Sequence, residues 1–582
     1  MTAPFVRLES YAPAGRSFAF SQCVEEVSAH TPGEVLSALQ SVEAAVRGGL
    51  HAAGFISYEA APALNADLRV QDSRQVPLLW FGLFKERHAI EAGAYAREAA
   101  FSLSSWQPSL REAAYRSAIE KIRAHIAAGD TYQVNFTFRL RSTLRGDDLA
   151  LYHQMCKNQR AGYCAYLDLG RFRVLSASPE LFFQWENGQI TTRPMKGTGR
   201  RGRTTEEDRQ SMALLHDSEK DAAENLMIVD LLRNDLGRIS APGSVQVARL
   251  FEIERYPTVL QMTSTITARP LAHFGLTDIL QALFPCGSVT GAPKIRTMEI
   301  ISGLEDSPRH VYTGSIGFVS PGPEAVFNVA IRTLLIDTHS GAAELGVGSG
   351  ITYDSSAVDE YQECLLKASF LTQPQPDFAL LESLLYEAGS GYFLLSRHLA
   401  RLADSADYFG FAFDGESVAK AAQDAALDMN VGCYKVRLLL HRDGRIEVEK
   451  VKLTSGSTAS NVSVAIASAP VKSDNVFLFH KTTHRAIYTS RAALRPDCDD
   501  VLLINERGEL TESTVANLVV RLQGQNYTPP VSSGPLAGTF RAELLEQGML
   551  AERILHPEDL RRAEAIFLIN SVRRWMRVRL VD

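Results

Sequence analysis

The segment LTQPQPD, residues 371–377, constrains the fold most, because it is polar, contains two prolines and lacks the periodicity of the long stretches on either side. A chain of 582 residues is too long for one hydrophobic core, so its length also indicates several domains. We therefore predict a linker at 371–377. It separates an N-terminal part at 1–105 and a core region at 106–370 from a second region at 378–582.

Composition and charge disfavour several classes of protein. Hydrophobic residues make up 45% of the chain and charged residues 22%, as in ordinary soluble proteins. The net charge of −7 disfavours nonspecific binding to nucleic acid, and no run reaches the roughly 18 apolar residues of a membrane span. The chain begins without a signal-peptide pattern, and its seven cysteines lack disulfide or zinc spacing. We expect a cytoplasmic protein with no membrane or nucleic-acid partner.

Strand and helix patterns alternate irregularly before the linker. QVNFTFRLRST and RFRVLSASPELFFQW alternate polar and apolar residues, as strands do. The stretch from Ser109 to Ala128 places Tyr115, Ile119 and Ile122 on one helical face. Strands and helices without regular βαβ units predict a mixed α+β fold.

The stretch TTRPMKGTGRRG, residues 191–202, contains a lysine surrounded by positive charge. Arg193, Arg200 and Arg201 flank Lys196, and neighbouring cations weaken the hold of a lysine on its proton. Such a lysine can act as a nucleophile near neutral pH. The alternative is a solvated basic turn.

Two acidic pairs have the spacing of one helical face. Asp221 and Glu224 are three residues apart, as are Glu360 and Glu363. Carboxylate oxygens from two helices suit Mg²⁺ if the helices meet. The alternative is that both pairs are solvated.

An arginine lies within an otherwise apolar strand pattern, VFNVAIRTLLI. Burial of Arg332 without an anion would be costly, so an anionic ligand or a structural salt bridge is expected there, and both interpretations remain open.

The motifs up to residue 370 resemble those of the chorismate-binding enzymes. SASPE, RPMKGTGRRG, AENLMIVDLLRNDLGR, GSVTGAPK, IRT and GSGITYDS occur in the order typical of that family. The resemblance implies two packed β-sheets with helices outside. A lysine in PMKGT resembles the aminodeoxychorismate synthase branch of the family, whereas anthranilate synthases usually have an uncharged residue in this loop.

The resemblance implies a role for each matching residue. Lys196 would attack C2 of chorismate as the C4 hydroxyl leaves, with Glu180 as the general acid, and ammonia would then enter at C4. Asp221, Glu224, Glu360 and Glu363 would hold Mg²⁺. The expected substrate contacts are Thr290, Tyr312, Arg332, Gly348 and Lys367.

Two further features concern this half. Many relatives have a histidine where this chain has Gln261, and a glutamine cannot transfer a proton at neutral pH. No cysteine nucleophile of the glutamine-amidotransferase kind is evident. We therefore expect a separate glutamine amidotransferase subunit to supply ammonia.

The region 378–582 resembles the fold-type IV pyridoxal-phosphate enzymes, which have two subdomains. Lys481 follows an apolar strand pattern, where a surface lysine is the alternative interpretation. The resemblance implies that Lys481 binds pyridoxal 5′-phosphate covalently and that Glu512 faces its ring nitrogen. The expected phosphate contacts are Arg401, Thr539, Phe540 and Ser571. Relatives of this type are commonly dimers, so we expect a homodimer through this region.

Together the two resemblances imply a route from chorismate to 4-aminobenzoate, a folate precursor. Amination at C4 would produce 4-amino-4-deoxychorismate, and a lyase would then remove pyruvate. Three alternatives remain open: an amino-acid transaminase in the second half, an anthranilate synthase in the first half, or a non-catalytic binding module in either half.

Overall fold

The computed structural model describes residues 5–12, 15–73, 75–96, 99–322, 324–371, 375–453 and 461–581. It divides the chain into two compact units, the first formed by 1–200 and 212–375 and the second by 201–211 and 376–582. Residues 372–374 of the predicted linker lie outside the described residues. The short segment 201–211 groups with the second unit although it precedes the linker by far in sequence.

The strands of the first unit are mostly antiparallel. They are Phe5–Glu9 (β1), Ser17–Ala29 (β2), His51–Ile56 (β3), Leu79–Ile90 (β4), Phe101–Leu103 (β5), Gln107–Pro108 (β6), Gln133–Gly146 (β7), Tyr163–Asp168 (β8), Phe172–Ser178 (β9), Leu181–Glu186 (β10), Gln189–Arg193 (β11), Met195–Arg200 (β12), Gln246–Arg255 (β13), Val259–Ala268 (β14), Gly291–Ala292 (β15), Ser315–Ser320 (β16), Glu324–Val329 (β17), Thr333–Asp337 (β18) and Ala342–Ile351 (β19).

The helices up to the linker are interspersed among these strands. They are Pro32–Arg47 (α1), Ala61–Leu64 (α2), Glu112–Ala127 (α3), Asp148–Gln159 (α4), Thr205–His216 (α5), Glu219–Gly237 (α6), Leu276–Leu283 (α7), Lys294–Leu304 (α8) and Ala357–Leu366 (α9). The division between the two units falls within α5.

The hydrophobic core of the first unit has an inner layer and two outer layers. In the inner layer, side chains from strands meet one another, among them Phe20 of β2, Phe55 of β3, Leu167 of β8 and Phe318 of β16. One outer layer packs α1, α6 and α7 against strands, and the other packs α3, α4 and α9 against strands. The mixed α+β fold class predicted from the sequence is confirmed.

Two pairs of strands position the residues of interest in the first unit. β7 and β19 form a long, regular antiparallel pair. In it Val134 lies opposite Ile351 at one end and Thr143 lies opposite Ala342 at the other. β12 pairs with β14, but the register shifts between Met195 and Thr198.

The second unit contains two sheets with their own helices. Its strands are Leu380–Glu387 (β20), Gly391–Tyr392 (β21), Cys433–Leu440 (β22), Ile446–Leu453 (β23), Val462–Ile466 (β24), Asp500–Ile504 (β25), Leu510–Ser513 (β26), Asn517–Leu522 (β27), Gln525–Thr528 (β28), Ala551–Glu552 (β29), Ala565–Asn570 (β30) and Arg574–Leu580 (β31). Its helices after the linker are Leu395–Phe409 (α10), Gly415–Ala426 (α11), Ala486–Ala492 (α12), Thr539–Glu546 (α13) and Pro557–Arg561 (α14).

The smaller sheet consists of the four strands β20, β21, β22 and β23, and a hydrophobic cluster packs it against α10 and α11. The larger sheet consists of the eight strands from β24 through β31. Within it, β24 pairs in parallel with β25 and with β31. Among the described residues, no helix combines the length and the apolar character needed to cross a membrane.

Aromatic rings fill the centre of one outer layer of the first unit. Phe327 of β17 is fully buried, and its ring stacks on Phe183 with 5.1 Å between centroids. Phe81 approaches the same ring edge-on at 6.2 Å. A smaller residue at position 327 would therefore leave a cavity that these neighbours cannot easily fill.

Phe327→Ala should lower the free energy of unfolding of the first unit by about 3–5 kcal/mol, because it removes buried ring contacts and opens a cavity. Urea unfolding followed by tryptophan fluorescence measures this change, since Trp80, Trp106 and Trp185 all lie in the first unit. Leu214→Ala is the matched control, because Leu214 is 75% exposed and its loss should change stability by less than about 0.5 kcal/mol. Equal effects of the two substitutions would contradict the prediction.

Candidate active sites

Lys196 lies at the irregular pairing between β12 and β14. Such bulges redirect a side chain away from the regular alternation of a strand. Here the partly buried lysine lines a cavity of about 380 Å³. A Cβ at Gly350 would lie 2.3 Å from Lys196 Nζ, so the glycine leaves room for the amine.

The cavity of the first unit brings together residues from strands and helices that are far apart in sequence. Of the residues predicted from the sequence, its wall contains Glu180, Lys196, Asp221, Glu224, Tyr312, Arg332, Gly348, Glu360, Glu363 and Lys367. Thr290 lies behind the wall, where its hydroxyl donates to the carbonyl of Cys286 at 3.2 Å, whereas Ser288 and Val289 reach the cavity. This hydroxyl therefore stabilises its own turn and does not face the cavity.

Glu180 is a buried carboxyl group beside the lysine loop. It is 3% exposed, and the main-chain N–H of Met195 donates to its Oε1 at 3.4 Å. Burial raises the pKa of Glu180 to about 7, against the opposing effects of Ser288 and Lys196. A carboxyl group with this pKa retains a proton near neutral pH and can donate it.

The pKa of Lys196 is lowered, as predicted, but for a different reason. Burial is the main cause, Lys367 lowers the pKa further, and the carboxylates of Glu224, Glu180 and Glu360 oppose this shift. Of the flanking arginines that the sequence suggested as the cause, Arg193 forms an ion pair with Glu254. Arg201 groups with the second unit and pairs with an aspartate there. Removal from water, rather than a cluster of arginines, therefore makes this amine easier to deprotonate.

The four acidic residues predicted to bind metal line the same cavity and come from α6 and α9. Three have partners within the protein: Ser218 donates to Asp221 at 2.6 Å, Ser355 donates to Glu360 at 2.8 Å, and Lys367 pairs with Glu363 at 2.7 Å. In the described ranges, no three His, Cys, Asp or Glu side chains lie close enough to hold a metal ion together.

Glu224 of α6 is the fourth member of this set. Burial raises its pKa, Lys196 and Lys220 oppose that rise, and the carboxylates of Asp221 and Glu360 add to it. The donor set therefore fits Mg²⁺ in chemical type, since this ion takes oxygen ligands and keeps several waters.

Arg332 is a partly buried cation on the cavity wall. Its φ of 53° is rare for a residue with a side chain, and such strain is typical of functional sites. Its guanidinium donates to the carbonyl of Lys367 and lies over the ring of Phe370 at 5.6 Å. Burial lowers the pKa of Arg332 to about 10. Within the described part of the chain it forms no ion pair, so the wall presents a cation that suits an anionic ligand.

Other residues on this wall had no assigned role in the sequence analysis. Gln261 lines the cavity, and Thr198 Oγ1 donates to its side-chain oxygen at 3.3 Å. Asn135, Lys220 and Ser288 also line it. Ser288 lies within the motif GSVTGAPK, whereas Asn135 and Lys220 are of residue types common on surfaces and in turns, so no local pattern distinguished those two.

A second cavity, of about 350 Å³, lies in the second unit. Its wall contains every residue predicted there from the sequence: Arg401, Lys481, Glu512, Thr539, Phe540 and Ser571. The sheets β20–β23 and β24–β31 both contribute to this wall.

Lys481 and Glu512 are both largely removed from water. Burial lowers the pKa of Lys481 to about 8, and Arg401 adds to that effect. Burial raises the pKa of Glu512 to about 7. Tyr488 Oη donates to this carboxylate at 2.9 Å and Asn517 Nδ2 donates at 3.3 Å, so its hydrogen-bond partners are neutral.

A buried carboxylate that the sequence analysis did not identify holds Arg401 in place. Glu382 of β20 accepts from Arg401 Nε at 2.8 Å and from Arg401 Nη2 at 2.7 Å. His398 Nδ1 lies 2.6 Å from Glu382, and its Nε2 lies 3.2 Å from the hydroxyl of Thr539. A single acidic residue in the apolar pattern FALLESLLYE was the available signal.

These residues fit pyridoxal phosphate. A partly buried amine, a buried carboxyl group, an arginine and the start of α13 at Thr539 all face one cavity. The first N–H groups of a helix favour an anion such as phosphate. A Cβ at Gly538 would lie 1.9 Å from Asn517 Oδ1, so a larger residue in the turn before α13 would displace that side chain.

Glu382→Gln should lower the free energy of unfolding of the second unit by about 3–5 kcal/mol near neutral pH, because Arg401 then loses its anionic partner. Burial alone would raise the pKa of Glu382, but Arg401 and His398 lower it from 4.5 to about 2. Its contribution to stability is therefore complete above about pH 5 and is lost as the pH falls toward 2.

Thermal denaturation of the wild-type protein and of the Glu382→Gln variant between pH 7.5 and 3 tests this prediction. The difference in Tm should shrink as the pH falls. Glu546→Gln is the control, because Glu546 is 65% exposed in its pair with Arg397 and such pairs contribute about 0–1 kcal/mol. A Tm difference that is constant over this pH range would exclude the proposed linkage.

Each of the two parts of the chain matches the model of a known protein family. Residues 5–373 match the model of the chorismate binding enzyme family, and residues 379–581 match that of amino-transferase class IV. Chorismate-binding enzymes generally use Mg²⁺, and class IV amino-transferases generally use pyridoxal phosphate.

Individual relatives align with the first unit. Aminodeoxychorismate synthase component 1 of Klebsiella aerogenes is 42% identical over 299 residues, which cover 51% of this chain and 64% of that protein. Anthranilate synthase component 1 of Aquifex aeolicus is 36% identical over 287 residues, which cover 49% of this chain and 57% of that protein. The crystal structure of anthranilate synthase component I from Streptococcus pneumoniae has a TM-score of 0.55 and 27% identity, covering 62% of this chain and 93% of that one.

The matches to aminodeoxychorismate synthase component 1 of three bacteria span 64%, 59% and 62% of those proteins' own length. The family model, in contrast, extends over more than half of this chain. Residues 379–581 match the amino-transferase class IV model, and the chain belongs to the chorismate-binding enzyme family.

Proposed function

We propose that the protein makes 4-aminobenzoate from chorismate in two steps. The first unit, as the synthase domain, aminates C4 of chorismate. The second unit, as the lyase domain, removes pyruvate from the resulting 4-amino-4-deoxychorismate. The similarity of the first unit to proteins named aminodeoxychorismate synthase component 1 supports this proposal.

One observation carries the proposal for the first unit. Lys196, Glu180 and Arg332 line a single cavity, so a nucleophilic amine, a protonated carboxyl group and an unpaired cation face the same space. Chorismate has a hydroxyl group that must leave and two carboxylates that need cationic partners. The cavity offers a group for each of these tasks.

In the first step, Lys196 Nζ forms a bond to C2 of chorismate while the ring double bonds shift and the C4–O bond breaks. Glu180 donates its proton to the departing hydroxyl, which leaves as water. Ammonia then bonds to C4, the double bonds shift back, and the bond between C2 and Lys196 breaks. A proton from the incoming ammonia is released, and Glu180 is placed to accept it.

Four acidic residues would hold Mg²⁺ in this unit: Asp221, Glu224, Glu360 and Glu363. Bound there, the ion would supply positive charge to a substrate carboxylate. Arg332 and Lys367 would provide further positive charge, and Tyr312 and Gly348 would shape the wall around the ring.

In the second step, pyridoxal phosphate, when bound, supplies an electron sink. Lys481 Nζ removes the proton from C4 of the substrate, for which a pKa of about 8 is well suited. The C3–O bond breaks and the ring becomes aromatic, while the enolate of pyruvate leaves and takes up a proton to become pyruvate, which balances the proton that Lys481 removed from C4. Glu512 would face the ring nitrogen, and Arg401, Ser571 and the start of α13 would hold the phosphate.

We also propose a separate glutamine amidotransferase as the source of ammonia, because the similar bacterial proteins are named as component 1 of a synthase. A homodimer through the second unit remains a prediction from the resemblance to fold-type IV enzymes. The histidine found in many relatives is Gln261 here, so the proton transfers above are assigned to Glu180.

Incubation of the protein with chorismate, ammonia, Mg²⁺ and pyridoxal phosphate tests the proposed function, with products separated by chromatography. We expect 4-aminobenzoate and pyruvate in equal amounts. Accumulation of 4-amino-4-deoxychorismate alone would exclude a lyase and favour a transaminase in the second unit. Formation of anthranilate would identify the first unit as an anthranilate synthase.

Two single substitutions should separate the steps. Lys196→Ala should slow amination on the order of 10³-fold or more, because the covalent nucleophile is lost, while supplied 4-amino-4-deoxychorismate is still converted. Lys481→Ala should stop the conversion of supplied 4-amino-4-deoxychorismate while amination of chorismate continues. It should also abolish the visible absorbance of the bound cofactor. Lys121→Ala, at an exposed position of α3, is the control for both. Normal amination by Lys196→Ala would disprove the covalent role.

A further inference from the structure

The cavity of the second unit contains more positive charge than the cofactor requires. Among the described residues that line it, the one carboxylate is Glu512. Arg401 and Lys481 already have proposed roles toward the phosphate and the aldehyde of pyridoxal phosphate. Four further cations line the same cavity without an assigned role: Lys435, Arg437, Arg485 and Arg573.

These four cations come from three separate parts of the second unit. Lys435 and Arg437 are two residues apart on β22, so their side chains leave the same face of the strand. Arg485 precedes α12, and Arg573 lies in the turn between β30 and β31. Their convergence is therefore a product of the tertiary fold.

Two of the four are anchored by other protein groups. Arg437 Nη1 pairs with Glu449 at 2.6 Å. Arg485 lies over the ring of Tyr488 at 4.5 Å and donates to the carbonyl of Thr514. These contacts orient the guanidinium groups but compensate only one of the positive charges.

The other two cations lack such anchors. In the part of the chain that the structure describes, neither Lys435 nor Arg573 forms an ion pair or a side-chain hydrogen bond. Burial lowers the pKa of Lys435, and Arg437, Arg573 and Arg485 lower it further, so all three lie within electrostatic range of this amine. Glu449 compensates the charge of Arg437, and the remaining positive charges repel one another unless an anion lies between them.

We propose that Lys435, Arg437, Arg485 and Arg573 form a subsite that binds a substrate with two carboxylates. This inference rests on the proposed function, because 4-amino-4-deoxychorismate carries one carboxylate on the ring and one on the enolpyruvyl group. A simple α-amino acid has a single carboxylate and would leave part of this charge unpaired. The subsite therefore selects dianions over monoanions.

The experiment compares a small dianion with a matched monoanion. Isophthalate, a ring with two carboxylates, and benzoate, with one, are titrated into the full-length protein loaded with pyridoxal phosphate. Binding is measured from the change in cofactor absorbance and by calorimetry. Kinetics with supplied 4-amino-4-deoxychorismate provide KM and kcat separately.

Lys435→Met and Arg573→Gln should each weaken isophthalate binding about tenfold and benzoate binding much less, because each removes one charge-assisted hydrogen bond to the second carboxylate. KM for 4-amino-4-deoxychorismate should rise by a similar factor, with a change in kcat below about threefold. Lys420→Met and Arg577→Gln are matched controls at exposed positions outside the cavity, and they should change neither value.

The possible outcomes separate this inference from the proposed function. Unchanged isophthalate affinity and unchanged KM in both variants would overturn the subsite while 4-aminobenzoate formation upheld the lyase. A wild-type protein that binds isophthalate no more tightly than benzoate would also overturn it. If the wild type forms no 4-aminobenzoate but shows a preference for isophthalate that both variants lose, the subsite stands and the lyase assignment falls.

Discussion

Removal of ionisable side chains from water is the constraint on which both cavities depend. It lowers the pKa of Lys196 and raises that of Glu180 to about 7 in the first unit. In the second unit it lowers the pKa of Lys481 to about 8 and raises that of Glu512 to about 7. Desolvation disfavours the charged form of any group, so it shifts amines and carboxyl groups toward neutrality together. Each cavity thereby obtains, from one physical cause, an amine that loses its proton more readily and a carboxyl group that keeps its proton to a higher pH.

A charged partner can reverse the shift of the pKa that burial causes. Glu382 and Glu512 are both buried in the second unit, yet the pKa of Glu382 is about 2. Glu382 accepts two hydrogen bonds from Arg401 and lies beside His398, whereas the hydrogen bonds to Glu512 come from neutral groups. A carboxylate paired with a guanidinium stays ionised and serves as an anchor. One with neutral donors can take up a proton and take part in chemistry.

Much of the fold and of the site was predictable because the signals are local. The cap of α6 at Ser218 and the loop around Lys196 each depend on residues close together in the chain. The cause of the lowered pKa of Lys196 was not predictable, since Arg193 has its partner 61 residues away at Glu254. Thr290 belongs to the predicted motif but lies behind the cavity wall, because its hydroxyl is used within its own turn.

The sequence by itself determined the α+β class and the order of the motifs, and it identified residues such as Lys196 and Lys481 that line the two cavities. Those properties follow from residue type and spacing along the chain. The tertiary structure alone decided which charges are neutralised and which stay unpaired, as the anchored Arg401 and the unpaired Lys435 illustrate. The physical reason is that ion pairing and desolvation depend on distances between residues far apart in sequence, and only folding sets those distances.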